Sequence, residues 1–151
     1  MVEVLTTPRF AQVAAAEAAR LLAEASYAYV DVRSVEEFEL GHVHGAFNVP
    51  WQLSGRMEPN SEFLAVIART FTAESGLVVG CQMGQRSHVA CELLAARGFR
   101  VVEHAGGFAG RRDPFGKLVE PGWERAGFAV SYDAEPGRSY EELCADAGVG
   151  V

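Results

Sequence analysis

Residues 77–98 read LVVGCQMGQRSHVACELLAARG. The first four are β-branched or small and apolar, as in a buried strand. Residues 86–97 then carry Val89, Leu93 and Ala96 on one side, with Ala90 and Leu94 beside them, and Gly98 supplies a helix stop. Between strand and helix lies a polar turn that begins with Cys81. In open α/β sheets the carboxyl edge of the strands is where ligands bind. Gly84 tolerates left-handed dihedrals, so successive N–H groups of residues 82–86 can point inward as a nest. The helix N-terminus adds unpaired N–H groups, and Arg86 adds a permanent cation. Such a loop favours a negative charge at its centre. A cysteine there is expected to have a lowered pKa, to be rich in thiolate near neutral pH, and to need no general base.

The same alternation extends outward. Residues 11–24 are alanine-rich, with Val13, Leu21 and Leu22 apolar, and predict a helix. Residues 27–32 (YAYVDV) predict a buried strand. Ser34, with Glu37 three residues later, has the spacing of a capping box for a short helix stopped by Gly41. Residues 46–50 predict a short strand. Residues 59–71 predict a helix capped by Asn60 or Ser61, with Phe63, Ile67 and Phe71 on its inner face. Strand 99–104, a polar loop over 111–122, a helical turn at 123–127, strand 128–132 and a short helix within 139–148 complete the pattern. Strands alternating with helices predict an α/β fold with a mainly parallel sheet and helices on both faces. A length of 151 residues predicts one domain over 1–151, with a motif-bearing core at about 13–130 and a tail at 131–151.

Composition narrows the chemistry. The net charge is −7, and no basic stripe is present, so neither nucleic acid nor an anionic membrane surface is an expected partner. Three cysteines, Cys81, Cys91 and Cys144, are odd in number and form no C-x-x-C. They are read as neither a disulfide framework nor a zinc site, and they suit a reducing cytoplasm. No apolar run is long enough to span a bilayer, and the first 26 residues lack the cationic start of a signal peptide. His42 and His44 form an H-x-H without a third ligand at a recognisable spacing, so no metal or other cofactor is expected.

At this point the chain resembles the rhodanese-like sulfurtransferases. Residues 29–50, YVDVRSVEEFELGHVHGAFNVP, are similar to the family's opening signature of Asp-x-Arg followed by Gly-His-x-x-Gly-Ala-x-Asn. Residues 78–87, VVGCQMGQRS, resemble its Cys-x-x-Gly-x-Arg-Ser loop. EHAGGFAG, at 103–110, resembles its Gly-Gly turn. The resemblance implies a five-stranded parallel sheet flanked by helices. It also implies Cys81 as a persulfide carrier, held by a loop of Gln82, Met83, Gly84, Gln85, Arg86 and Ser87. The donor would be a small sulfane compound such as thiosulfate, polysulfide or mercaptopyruvate, and the acceptor a thiol, cyanide or an acceptor protein.

Related cell-cycle phosphatases have one more loop residue and usually a histidine before the cysteine. Here the loop from Cys81 to Arg86 is short and position 80 is glycine, which favours sulfur over phosphate or arsenate. A module without activity, for docking or redox sensing, is the other alternative. Gln82 stands where many members have Arg or Lys, and an insertion, placed at 109–122, separates Gly-Gly from Trp123. Asp31, Arg33 and His42 form a candidate supporting shell. Arg33 and Glu37, four apart, are expected to make a local ion pair. His88 is expected to be solvent-exposed, and Cys144 to matter only if the tail folds over the site.

Overall fold

A computed structural model describes residues 10–150. Its centre is a sheet of five parallel strands in the order β1-β6-β5-β2-β4. These are β1 (Ala11–Val13), β2 (Ala28–Asp31), β4 (Phe47–Asn48), β5 (Gly76–Gly80) and β6 (Arg100–His104). The predicted α/β architecture is therefore the one observed. Within the main sheet one strand differs from the sequence reading. Residues 11–13 are not helical but form the edge strand β1, paired with Val102–His104. The helix α1 begins only at Ala15 and runs to Glu24. Strand 128–132 is correspondingly not in the main sheet. Its core, β9 (Val130–Ser131), pairs antiparallel with β3 (His42–Val43).

Alternation along the inner strands decides which helix lies on which face. Val30, Val32, Leu77, Val79 and Val101 face one side. There they meet α3 (Phe63–Thr70), α4 (Gln85–Ala96) and α5 (Tyr140–Ala147) through Phe63, Val66, Ile67, Ala90, Leu94 and Leu143. Tyr29 and Val78 face the other side and pack against α1 and Trp123. Each fully buried side chain of this kind contributes roughly 1.5–3 kcal/mol. The tail helix α5 thus belongs to the core. Cys144 on it is fully buried and is not a surface thiol.

Local chemistry fixes the short elements. Ser34 and Glu37 form the expected capping box at the start of α2 (Val35–Glu39). Asn60 Oδ1 accepts the Glu62 N–H at 3.1 Å, so it caps the turn before α3 and not the first turn of the helix itself. The stretch expected to be a loop at 111–122 is a hairpin of β7 (Arg111–Arg112) and β8 (Leu118–Glu120). Asp113 closes it, its Oδ1 accepting the N–H groups of Phe115 and Lys117. Residues 123–127 make the predicted turn, with the Ala126 N–H donating to the Gly122 carbonyl. The reading of residues 1–9 lies outside the described residues.

Candidate active site

Cys81 leaves the carboxyl end of β5 and enters the turn that starts α4. It is 2 % exposed, yet its sulfur faces the turn. Sγ accepts the Gly84 N–H at 3.1 Å and the Ser87 N–H at 3.3 Å, and it lies 3.3 Å from Ser87 Oγ. Helix α4 has no side-chain cap from its N-cap residue Gly84. The sulfur fills that role, accepting the third amide of the helix, a group that would otherwise be an orphan donor. The second amide donor is Ser87, one residue beyond the 82–86 nest expected from sequence.

Two glycines make the turn possible. Gly84 has φ +98°, where an L side chain is strained. Gly107 approaches so closely that a Cβ there would lie 2.5 Å from the Cys81 carbonyl oxygen. That approach lets the Phe108 and Ala109 N–H groups donate to the Cys81 and Gln82 carbonyls at 2.8 and 3.0 Å. The Gly-Gly turn thus ties down the loop's carbonyls while loop amides face the sulfur.

Position 80 is glycine for a steric reason. A Cβ there would collide with the Tyr29 hydroxyl. Tyr29 shares a 2.7 Å hydrogen bond with His104 Nδ1 and cannot easily move aside. A histidine before Cys81 has no room.

The supporting residues sort into two groups. Arg33 donates to both Asp31 carboxylate oxygens, to the Gly41 carbonyl at 2.7 Å and to Gln82 Oε1 at 3.0 Å. Its guanidinium also stacks 4.5 Å from the centre of the Phe108 ring. Asp31 and Arg33 therefore reach the loop through Gln82. Asn48, which the sequence reading left without a role, donates to the Asp31 and Arg33 carbonyls. His42 does not reach the loop. It is fully buried, stacked on Phe38, and its Nδ1 donates to the Phe38 carbonyl. His44 pairs instead with Glu135 and Ser131.

The expected Arg33–Glu37 pair does not form; the Arg33 guanidinium is shared among Asp31, the Gly41 carbonyl and Gln82. Glu37 instead binds Arg86 at 2.6 and 3.0 Å, fastening the far end of the loop to α2. The Arg86 bond, reinforced by Ser34, holds the Glu37 carboxyl down at about 2. Met83 is half exposed on the same loop. His88 is half exposed as expected, but it also donates to Glu103 at 3.2 Å. Sequence reasoning missed Glu103. It is 1 % exposed and accepts the Ser87 hydroxyl at 2.8 Å. A carboxylate inside an interior strand of a parallel sheet, where apolar runs are the rule, was the available signal.

Comparison with known proteins now adds to this geometry. A family model described as Rhodanese-like domain matches residues 14–112, more than half of the chain. The chain belongs to that family. The rhodanese-like domain is 38% identical over 93 residues to rhodanese-like domain-containing protein 15, chloroplastic, of Arabidopsis thaliana, covering 60% of this chain and 51% of that protein. It is 40% identical over 88 residues to thiosulfate sulfurtransferase 16, chloroplastic, of the same plant, covering 56% and 73%. The match thus spans about half the length of the first of these relatives. A crystal structure of Rv0390 from M. tuberculosis shares the fold, with TM-score 0.68 and 23% identity over 83% of this chain and 100% of that one. Among the described residues no helix is long and apolar enough to cross a membrane.

Proposed function

We propose that this rhodanese-like domain is a sulfurtransferase that carries sulfane sulfur on Cys81. The observation that carries the reading is the sulfur itself, aimed into a turn whose Gly84 and Ser87 amides donate to it. Those preorganised donors stabilise negative charge on sulfur without reorganising during reaction. The Cys81 thiolate attacks the outer sulfur of the donor. A Cys81–sulfur bond forms, the donor's bond to that sulfur breaks, and its electron pair leaves with the remainder, sulfite in the case of thiosulfate. An acceptor thiolate or cyanide then takes the outer sulfur and returns the electron pair to Cys81. This is covalent, ping-pong catalysis.

The six-residue loop and Gly80 support sulfur over phosphate, since the Tyr29 hydroxyl excludes a histidine beside the cysteine. Donor candidates are thiosulfate, polysulfide and mercaptopyruvate. A small thiol, cyanide or an acceptor protein receives the sulfur, and the charge of −7 argues against nucleic acid or anionic membrane as a partner. Three free cysteines fit a reducing compartment, the cytoplasm or a plastid such as the relatives' names print.

Intact-protein mass spectrometry after each donor tests this. Wild type should gain the mass of one sulfur atom and Cys81→Ser should not. An equal gain on both would remove Cys81 from the chemistry. Cys81-dependent turnover of p-nitrophenyl phosphate or arsenate, with no sulfur gain from any donor, would favour the phosphatase-like alternative. No gain and no turnover would leave a docking or sensing module.

A further inference from the structure

Glu103 places a charge where an α/β core has little room for one. It lies on β6 between β1 and β5, opposite Gln12 and Val79 in register. Its Oε1 accepts the Gln12 amide at 3.0 Å and lies 3.2 Å from His88 Nδ1. Its Oε2 accepts Ser87 Oγ–H at 2.8 Å. A serine hydroxyl has one proton. Ser87 commits it to Glu103, so a lone pair of Oγ faces Cys81 Sγ at 3.3 Å. The three groups form an ordered chain, from thiol to hydroxyl to carboxylate.

We propose that Glu103 is the proton reservoir of Cys81, acting through Ser87. The chemistry rests on the sulfurtransferase reading above. As Cys81 ionises, its proton passes to Ser87 Oγ while the Ser87 proton passes to Glu103 Oε2. Both hydrogen bonds reverse direction. The neutral Glu103 carboxyl now donates to Ser87, and the Ser87 hydroxyl donates to the thiolate. One negative charge has moved from carboxylate to sulfur, and none has been added to the interior. A second buried charge would be strongly unfavourable, so the exchange is the cheaper route to a reactive sulfur. The thiolate then takes the outer sulfur of the donor as described. When the acceptor removes that sulfur, the electron pair returns to Cys81 and the proton returns from Glu103 through Ser87.

His88 gives the chain an outlet. Its side chain is 50% exposed, touches Oε1 with one nitrogen and lies 3.9 Å from Glu92 with the other. The remaining groups around Glu103 do not compete for its proton. Gln12 on β1 carries no charge, β5 contributes no titratable side chain, and the Cys91 thiol on α4 is held protonated by burial. Around Cys81 itself, Tyr29 is kept neutral by burial, Asp31 is committed to Arg33, and Arg86 to Glu37.

The test is the pH profile of Cys81 modification by iodoacetamide, followed by peptide mass spectrometry after cyanide has stripped any bound sulfur. A thiol and a carboxyl that share one proton titrate as a pair. Wild type should therefore show a plateau of reactivity between the two titrations. Glu103→Gln keeps an acceptor for Ser87 but cannot take the proton. Its rate should fall about tenfold per pH unit below a single midpoint, with no plateau. Ser87→Ala breaks the chain at its middle and should lose the plateau as well, which keeps the test available if Glu103→Gln fails to fold. A Glu103→Gln or Ser87→Ala profile parallel to wild type overturns the proposal, because a purely structural glutamate would leave the shape unchanged. Sulfur gain is scored separately. A wild type with the plateau but no sulfur gain sinks the sulfurtransferase reading and leaves the relay standing. Sulfur gain with unchanged variant profiles sinks the relay alone.

Discussion

Cys81 and Cys91 lie on the two sides of one helix start, and both are buried. Cys81 has two amide donors and a hydroxyl at hydrogen-bond distance. Cys91 sits inside α4 among apolar side chains, and burial pushes its thiol up, with the Glu103 charge adding to the effect. Exposure therefore does not distinguish the two sulfurs. What separates them is whether polar partners replace the water that burial removed. The same contrast recurs in two other ionisable groups. Glu37 is partnered by Arg86 and is held ionised, whereas His104 is buried with one ring nitrogen lacking a partner among the described residues and is held neutral.

The largest expected effect lies at the sulfurs. In native protein iodoacetamide should modify Cys81 at least about a hundredfold faster than Cys91, as thiolate character dictates. Gly84→Ala attacks the difference directly. It puts a side chain at φ +98° with its Cβ 2.9 Å from the Ala105 carbonyl oxygen, so the turn must shift and its amide leaves the sulfur. The strain costs about 1–2 kcal/mol, and the rate ratio should shrink by about tenfold or more. Peptide-resolved labelling measures both. An unchanged ratio in a folded Gly84→Ala protein would mean that the amides do not set the reactivity.

The sequence disclosed the loop because its signals are local. Strand, cysteine, glycine and helix start lie within a few residues of one another, and the Ser34–Glu37 capping box has a fixed spacing of three. What it hid was decided by distant partners. Residues 11–13 read as the start of an alanine-rich helix, and only pairing with β6, 91 residues away at Gln12 and Glu103, makes them a strand. Glu37 was assigned to Arg33 by helical spacing, but it meets Arg86 because α2 folds against the loop. Glu103 drew no separate reading within the strand at 99–104. Its contacts with Ser87 and His88 appear only when α4 packs onto β6. Polar networks of this kind couple elements far apart in sequence, so periodicity carries no trace of them.

His104 sharpens the contrast at a pH that can be reached. Burial lowers its pKa from 6.5 to about 4, whereas the rise at Cys91 lies beyond easy titration. Between those two values the unfolded chain binds a proton that the folded protein refuses. Stability therefore rises with pH across this window and is lost as pH falls through it, by roughly 3 kcal/mol at most. Nitrogen-detected NMR should show His104 neutral down to about pH 4, and urea midpoints should fall by a one-proton slope over the same range. A His104 titrating near 6.5 would show that water reaches it and that burial alone does not disfavour charge there.

Glu37 provides the smallest effect, with the same sign against pH but from a group the fold holds ionised. Its carboxyl is lowered from 4.5 to about 2, first by the Arg86 bond and then by Ser34. The folded-state value is the depressed one, so the stabilisation is complete above about 4.5 and disappears as pH falls through about 2. Glu37 is 33% and Arg86 26% exposed, and solvent screening limits the pair to about 1 kcal/mol. Glu37→Gln should lose that amount at neutral pH and should flatten the acid limb of the stability curve below pH 4.5. Arg86→Ala removes the same pair and should lose similar stability, but it also frees the far end of the Cys81 turn, so turnover should fall further than the melting temperature implies. Stability and turnover falling together in Arg86→Ala would reduce the ion pair to scaffolding, and partnering would then matter at the sulfur alone.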